Sequence, residues 1–208
     1  MLFVQEATIF QLIPVAIVAY LLGSIPFGLL LSRFMGLGDL RKIGSGNIGA
    51  TNVLRTGSRI AGLLTLLLDA AKGFLPVFIA GTLDMPSALM AALAAFIGHV
   101  HPVWLRFRGG KGVATYLGIL IALDPLVGLS VGLVWAVAFA ILHISSVSSM
   151  TAALVAPIAT ALFVGTQPAL VMTVLSLWIL IRHHQNIRRL LAGTEPRSVL
   201  SRQSSEPK

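Results

Sequence analysis

The stretch LIPVAIVAYLLGSIPFGLLL, residues 12–31, has no charged side chain. Its length is that of a helix able to cross about 30 Å of hydrocarbon, which takes about 20 residues. Similar apolar stretches recur at residues 60–80, 87–103, 113–123, 126–142, 147–164 and 168–181. The sequence therefore predicts an all-α, polytopic integral membrane protein with about seven transmembrane helices. The fourth stretch is short and ends at Asp124-Pro125, so we expect it to lie half buried or to extend into the preceding glycine-rich loop.

Composition excludes several classes of protein. Hydrophobic residues make up 56% of the chain and charged residues 11%, with a mean hydropathy of +0.92. A water-soluble fold could not bury that much apolar surface. The chain has no cysteine, which excludes disulfides, thiolate metal sites and cysteine nucleophiles. The net charge of +8 comes without a nucleic-acid-binding motif, so we expect contact with membrane lipids and not with nucleic acid. Residues 1–11 lack the basic region and cleavage site of a signal peptide.

Basic residues predict the orientation, because lysine and arginine in short loops stay in the cytoplasm. Five lie in residues 33–59, three in residues 106–111 and six from residue 182 onward, which is fourteen of the fifteen. Seven crossings place all of these on one side, with the N-terminus outside and the C-terminus cytoplasmic. The exception, Lys72, lies inside the second stretch, three residues after Asp69. Residues at this spacing share a helix face, so we expect either a structural ion pair between Asp69 and Lys72 or a positive charge on Lys72 beneath a cytoplasmic functional site.

The first of three polar segments on the cytoplasmic side is GSGNIGATNVLR, residues 44–55. Its glycines allow positive φ and turn successive N–H groups into a concavity that suits a phosphate. Side-chain donors accompany them at Ser45, Asn47, Thr51, Asn52 and Arg55. A simple turn would also explain the glycines.

The second segment is GHVHPVWLRFRGGKGVAT, residues 98–115. It places Lys111 and glycine amides at the start of an apolar helix, where the helix dipole favours an anion. It is not a P-loop, because Gly112 stands where that motif needs Ser or Thr, so nucleotide hydrolysis is not supported. His99 and His101 could be catalytic, but we favour hydrogen-bonded structural histidines.

The third segment is HHQNIRRLLAGTE, residues 183–195. His183 and Asn186 share a helix face, with Arg189 roughly aligned below them. A basic membrane anchor would need neither the asparagine nor the two histidines. Together the three segments predict a site for a ligand that carries phosphate. A transporter of organic phosphates would instead place polar groups near the bilayer midplane within a repeated half, and a structural scaffold would leave these polar residues unexplained.

These three segments resemble the signature motifs of the bacterial glycerol-3-phosphate acyltransferases that use acyl phosphate as donor. YLLGSIPFG at residues 20–28 and LLLDAAKG at residues 66–73 also resemble that family, so the likeness covers most of residues 20–195. The HxxxxD pair of the other large class of glycerolipid acyltransferases is missing, as are the clustered aspartates of CDP-alcohol phosphotransferases.

The resemblance implies a seven-helix enzyme of the bacterial inner membrane with its active site facing the cytoplasm. It would acylate the sn-1 hydroxyl of glycerol 3-phosphate, releasing lysophosphatidic acid and inorganic phosphate in the first acylation of phospholipid synthesis. The acyl phosphate would come from a separate enzyme, to which this one would be functionally coupled. No metal or cofactor is implied. The enzyme would occupy residues 1–195 as a single domain, and residues 196–208 form a polar tail that we expect to be disordered.

By motif position, the resemblance implies that a catalytic set binds glycerol 3-phosphate, namely Ser45, Arg55, Lys111, His183 and Asn186. Further substrate-binding residues are Gly44, Gly46, Asn47, Gly49, Thr51, Asn52, Gly109, Gly110, Gly112, Thr115, Arg189 and Glu195. The glycine backbones of residues 44–49 and 109–112 would cradle the acyl phosphate. His183 is a candidate base, and a substrate phosphate oxygen is the alternative proton acceptor. Ser45 is less favoured as a covalent nucleophile, because no base lies beside it in sequence.

Overall fold

The computed structural model describes residues 8–197, and all regular structure within them is helical, which confirms the predicted all-α class. Two short 3-10 turns lie at Leu40–Lys42 and Val103–Leu105. The α-helices are α1 (Ile9–Gly23), α2 (Phe27–Phe34), α3 (Ala50–Leu54), α4 (Arg59–Gly81), α5 (Met85–Val100), α6 (Val113–Leu123), α7 (Pro125–Leu142), α8 (Ser145–Phe163), α9 (Thr166–Arg182) and α10 (His184–Leu191). The predicted tail falls almost wholly outside the described residues, as do residues 1–7.

Length and composition identify the helices able to cross a membrane. Five stretches are long and apolar enough: Ile9–Phe34, Arg59–Gly81, Met85–Leu105, Pro125–Leu142 and Ser145–Phe163. Two further apolar helices are shorter, α6 with 11 residues and α9 with 17. A full crossing needs at least about 17 residues, so α9 reaches that limit and α6 does not. The multi-pass prediction thus rests on five stretches, while seven crossings and the orientation of the termini stay predictions.

The first predicted span differs from the structure, because it is divided into α1 and α2 by a break at residues 24–26. Pro26 lacks an N–H group and its ring disfavours helical geometry at Ile25. The break leaves the carbonyl oxygen of Ile25 free to accept a hydrogen bond from Lys72 Nζ of α4 at 2.7 Å. Lys72 Nζ also lies 2.7 Å from Asp69 Oδ1, so the predicted ion pair is confirmed.

The helices pack at very short range. α1 lies along α5, α4 contacts α5 and α6, and α8 contacts α7 and α9. A Cβ atom at Gly118 of α6 would overlap the carbonyl oxygen of Ala70 in α4, and one at Gly73 of α4 would overlap that of Thr115. Small residues therefore set this spacing, as is typical of helices packed in membranes.

The polar and apolar parts of the molecule are separated. Large apolar side chains such as Leu126, Leu162 and Phe163 are exposed on the outer helix faces, where lipid would cover them. Polar side chains from the beginnings of α4, α6 and α8 and from the end of α9 line one common cleft. The fold thus brings these helix ends together at one end of the bundle.

Candidate active site

A cleft of about 420 Å³ lies at this end of the bundle, and all three polar segments contribute to its walls. The predicted site residues that line it are Ser45, Asn47, Gly49, Thr51, Asn52, Arg55, Lys111, Gly112, His183, Asn186, Arg189 and Glu195. Residues more than a hundred positions apart in sequence therefore meet in one site.

Glu195 joins α8 to α10 in the cleft. Its Oε1 accepts hydrogen bonds from Ser146 Oγ of α8 and Asn186 Nδ2 of α10, each at 2.6 Å. Its Oε2 accepts one from Arg189 Nε at 2.7 Å. Burial alone would raise the pKa of this carboxyl, but the three donors outweigh burial and lower it. Glu195 is therefore ionised and fixes Asn186 and Arg189 in place.

Lys111 completes this network from the second segment. Its Nζ donates to Asn186 Oδ1 at 2.6 Å. Burial is the main cause that lowers the pKa of Lys111 to about 8, and the charges of Arg189, Arg55 and Arg182 lower it further, while Glu195 opposes them. The ammonium form predominates at neutral pH, so Lys111 can bind an anion there.

One ring nitrogen of His183 is bound to the backbone of its own helix. Its Nδ1 is 2.8 Å from the carbonyl oxygen of Ile179, one turn earlier in α9. Because a carbonyl only accepts hydrogen bonds, Nδ1 carries the proton and Nε2 keeps a lone pair. Burial, followed by the charge of Lys111, lowers the pKa of His183 to about 4. The ring is thus neutral at pH 7, with Nε2 able to accept a proton.

The first glycine-rich segment is folded around Asn52. The buried Asn52 amide donates from Nδ2 to the carbonyl oxygen of Leu40 at 2.9 Å, and its Oδ1 accepts from the Ser45 amide at 3.1 Å. Gly44 has a φ of +54°, and a Cβ there would lie 2.6 Å from Asn52 Oδ1 and 2.8 Å from Arg55 Nη1. A glycine is needed at this position so that the Arg55 side chain can lie against the loop.

Arg55 and nearby amides are left for a ligand. Burial lowers the pKa of Arg55, which nevertheless stays charged. Arg55 forms no salt bridge with any carboxylate in residues 8–197. The backbone N–H groups of Asn47, Ile48 and Gly49 likewise donate to no acceptor within residues 8–197. Guanidinium and amide donors of this kind suit a phosphate.

The second glycine segment is arranged differently from the expectation that its amides cradle a phosphate. The N–H groups of Gly109 and Gly110 donate to the carbonyl oxygens of Val100 and His99 at 3.0 and 3.1 Å. They thereby satisfy carbonyls at the C-terminal end of α5, which lack partners within the helix. Arg182 donates to the carbonyl oxygens of both glycines, at 3.0 and 3.2 Å.

Five predicted site residues lie outside the lining of the cleft: Gly44, Gly46, Gly109, Gly110 and Thr115. The first four support the loops that carry Ser45 and Lys111. Thr115 is fully buried, with its backbone and methyl group against Gly73 between α4 and α6.

Other residues of the site were not predicted. Ser146 binds Glu195, Ser145 Oγ lies 3.1 Å from Thr51 Oγ1, and Trp135 Nε1 donates to Ser149 Oγ at 3.0 Å. The signal available in sequence was the serine-rich stretch SSVSS, residues 145–149, within an apolar region. His101 Nδ1 is 3.1 Å from the carbonyl oxygen of Phe107, and the buried His99 Nδ1 lies 3.8 Å from Asp69 Oδ1.

Comparisons with known proteins show the family to which this chain belongs. Residues 13–193 match the family model of glycerol-3-phosphate acyltransferase. A glycerol-3-phosphate acyltransferase from Cereibacter sphaeroides is 53% identical over 193 residues, covering 92% of both chains. One from Mesorhizobium japonicum is 53% identical over 186 residues, covering 89% of this chain and 95% of the relative.

Solved structures of PlsY, described as an integral membrane glycerol 3-phosphate acyltransferase, share the fold. The glycerol 3-phosphate form has a TM-score of 0.88 and 38% identity, covering 94% of this chain and 100% of that one. The lysophosphatidic acid form has a TM-score of 0.84 and 39% identity, covering 90% and 95% of the two chains. This chain belongs to the glycerol-3-phosphate acyltransferase family of integral membrane enzymes.

Proposed function

We propose that this enzyme transfers a fatty acyl group from acyl phosphate to the sn-1 hydroxyl of glycerol 3-phosphate. The products would be lysophosphatidic acid and inorganic phosphate, the first acylation of phospholipid synthesis, in the inner membrane with the cleft facing the cytoplasm. A separate enzyme would supply the acyl phosphate. The observation that carries the proposal is a neutral His183 beside Lys111, Arg55 and Arg189 in one cleft. The two ligand forms of PlsY support this acceptor and this product.

The cations of the cleft explain how two anionic substrates could be bound together. Each substrate carries a phosphate, and the two would repel each other in a site of low dielectric constant. Arg55 has no salt bridge to a carboxylate in residues 8–197, and Lys111 is bound to a neutral amide oxygen, so both charges are available to phosphate. Arg189 is neutralised by Glu195 and serves mainly to position it. We therefore assign glycerol 3-phosphate to Arg55 and Lys111.

The proposed reaction needs little chemistry from the protein. The sn-1 hydroxyl oxygen attacks the carbonyl carbon of the acyl phosphate and forms the new ester C–O bond. The bond from that carbon to the phosphate oxygen then breaks, and phosphate leaves with the electron pair. The hydroxyl proton finally resides on the released phosphate. Because an acyl phosphate is a mixed anhydride with a good leaving group, orientation and charge stabilisation account for most of the catalysis.

His183 is the proton acceptor in this proposal. Its Nε2 carries the lone pair, and a bound phosphate dianion would raise its pKa from about 4 towards the working pH. The alternative acceptor is a phosphate oxygen of a substrate, with His183 only binding. A His183→Gln variant separates the two: loss of a base lowers kcat, whereas loss of a binding contact raises KM for glycerol 3-phosphate with kcat retained.

The acyl chain would extend from the cleft into the membrane. The apolar part of the cleft wall includes Leu63 and Leu66 of α4, which are 56% and 41% exposed on the outer helix surface. A wall that joins the cleft to the lipid-facing surface would let a lipid-soluble donor enter and a lipid-like product leave sideways.

The test is an assay of the purified protein in lipid mesophase with palmitoyl phosphate and glycerol 3-phosphate. We expect release of phosphate that depends on glycerol 3-phosphate, together with formation of lysophosphatidic acid. Lys111→Ala should lower turnover by at least about 100-fold, the scale for loss of one preorganised charge-stabilising group. Lys42→Ala is the matched control, since Lys42 is exposed and outside the cleft, and it should keep wild-type turnover. A folded protein without turnover, or equal loss in both variants, would contradict the proposal.

A further inference from the structure

A second groove of about 400 Å³ lies apart from the active-site cleft and shares no lining residue with it. It lies between the 3-10 turn Leu40–Lys42 and the loop that follows α5. Its walls are Arg41, Trp104, Leu105, Arg106 and Arg108. Nothing in the acyl-transfer reaction described above uses these side chains.

The charge of this groove suits an anion. Arg41 is held by Asp39, with Arg41 Nε 2.9 Å from Asp39 Oδ1 and Arg41 Nη2 3.0 Å from Asp39 Oδ2. Arg106 and Arg108 form no salt bridge with any carboxylate in residues 8–197. Three guanidinium groups therefore face one carboxylate. Guanidinium groups bind phosphate oxygens through paired hydrogen bonds, so a phosphate is the anion that this groove best fits.

The loop that carries Arg106 and Arg108 has a constrained backbone. Arg106 and Phe107 have φ values of 51° and 63°, in the left-handed region that non-glycine residues seldom adopt. The Phe107 amide donates to the carbonyl oxygen of Pro102 at 3.0 Å, and the Arg108 amide to that of Leu105 at 3.1 Å. The His101 ring contacts the Phe107 carbonyl oxygen at 3.1 Å. These bonds fix the loop, so both arginines are presented in a defined position.

The groove lies at the level of the membrane surface. The apolar stretch Met85–Leu105 ends within it, and the stretch Ile9–Phe34 ends a few residues before the turn that carries Arg41. Trp104 and Phe107 are 60% and 58% exposed, although both are aromatic. Exposed aromatic rings beside arginines are typical of the zone where lipid headgroups meet the acyl chains. An acidic protein would match the charge, but the exposed rings at the ends of two apolar stretches favour a lipid.

We propose that this groove is a binding site for the headgroup phosphate of an anionic phospholipid, with Arg106 and Arg108 on the phosphate and Trp104 and Phe107 against the upper acyl chains. The occupant is a bulk membrane lipid and not a substrate. The site would hold the loop next to the Gly109-Gly110 pair, and so Lys111, at the membrane surface.

The test is native mass spectrometry of the purified protein in a non-ionic detergent, titrated with phosphatidylglycerol or phosphatidylcholine of identical acyl chains. The wild-type protein should bind phosphatidylglycerol at least about tenfold more tightly than phosphatidylcholine. The double substitution Arg106→Gln with Arg108→Gln should abolish most of this preference. The matched control is Arg33→Gln with Arg188→Gln, since both are exposed arginines outside the groove, and it should keep the preference.

Two further measurements separate the outcomes. The thermal unfolding midpoint of each double variant checks that the loop still folds. Trp104→Ala, which leaves the charges intact, should weaken the binding of both lipids. Lys111→Ala should keep the lipid preference, because binding here is independent of acyl transfer. Equal binding of the two lipids to wild type, or equal loss of preference in both double variants, would overturn the proposal. If the Arg106 and Arg108 double variant lost binding to an acidic protein but bound both lipids as the wild type does, the proposal would also be overturned.

Discussion

At the scale of single residues, the cleft is organised by one carboxylate and one buried amide. Glu195 accepts hydrogen bonds from Ser146, Asn186 and Arg189, and Asn186 in turn accepts from Lys111. The carboxylate therefore orients a chain of polar groups that ends at the Lys111 ammonium. Such a network stabilises the charged form of Lys111, although burial lowers the pKa of this side chain.

The lowered pKa of Lys111 predicts how binding of glycerol 3-phosphate depends on pH. Below about pH 8 the ammonium form is present, and above it the neutral amine loses its attraction for phosphate. We therefore expect kcat/KM for glycerol 3-phosphate to fall above about pH 8. Bound phosphate favours the ammonium, so kcat should fall only at higher pH. The measurement is the initial rate as a function of pH.

Lys111→Arg provides the check on this assignment, because a guanidinium stays protonated throughout the accessible range. The variant should lose the decline near pH 8, whatever its absolute rate. An unchanged decline would assign that titration to another group.

Arg182 is expected to act through Lys111 as a positioning residue. It donates to the carbonyl oxygens of Gly109 and Gly110, immediately before Lys111, and its charge helps to lower the pKa of Lys111. Arg182→Lys keeps the charge but cannot form both bonds, so kcat/KM should fall about 10- to 100-fold with the pH dependence unchanged. Arg182→Met should lose the same factor and also move the decline in kcat/KM to higher pH.

Steady-state kinetics across pH measure both effects, and Arg188→Lys, at an exposed position on α10, is the control. A merely structural role for Arg182 would give similar losses in both Arg182 variants without separating their pH profiles.

At the scale of helices, close packing between α4 and α6 keeps the beginnings of these helices together at the cleft. A side chain at Gly118 would overlap the backbone of Ala70, which cannot move without shifting α4. At Gly132 in α7, a Cβ would lie at an ordinary 3.5 Å from Leu117. The two glycines thus form a matched pair of helix-interior positions: the Ala70 backbone leaves no room for a side chain at Gly118, whereas Gly132 has room for one.

Gly118→Ala should destabilise the protein by about 1–3 kcal/mol, since overpacking against backbone forces the helices apart. Gly132→Ala should be neutral or stabilise by up to about 1 kcal/mol, because alanine favours helix. Thermal unfolding in detergent measures both. Equal effects would show that the distance between α4 and α6 is not set by Gly118.

At the scale of the whole molecule, the cleft supports an alternating path of the chain through the membrane. Its walls come from the beginnings of α4, α6 and α8 and from the end of α9. These helix ends lie on one side only if α4 to α9 run alternately in opposite directions. Although α6 has only 11 residues, this alternation agrees with the seven crossings that the basic residues predict.

Single-cysteine labelling tests this topology, because the natural chain has no cysteine. In spheroplasts, a membrane-impermeant maleimide should label Thr82→Cys and Gln167→Cys, since the predicted spans and orientation place the turns at residues 81–86 and 165–167 outside. Lys42→Cys and Arg188→Cys should react only after the membrane is opened. All four positions are exposed, so burial cannot explain a failure to react. Labelling of Lys42→Cys in sealed spheroplasts would reverse the orientation.

The sequence by itself determined most of the helices, and most of the site residues that it predicted line the cleft. Apolar stretches of bilayer length must be helical, since the backbone has no other partners in lipid, and six of the seven predicted spans coincide with single helices. Local chemistry also predicted Lys111, Arg55 and His183 as site residues, and the structure places all three in the lining of the cleft.

Only the tertiary structure decided which groups face the cleft. Ser146 looks like any serine until α8 packs beside Glu195, and Gly109 and Gly110 look like a phosphate cradle until α5 and Arg182 take their polar groups. Pro26 in the sequence is enough to break the helix, but only the fold brings Lys72 of another helix to the carbonyl oxygen of Ile25. Hydrogen bonds between distant segments determine the direction of a polar group, and sequence spacing carries no record of them.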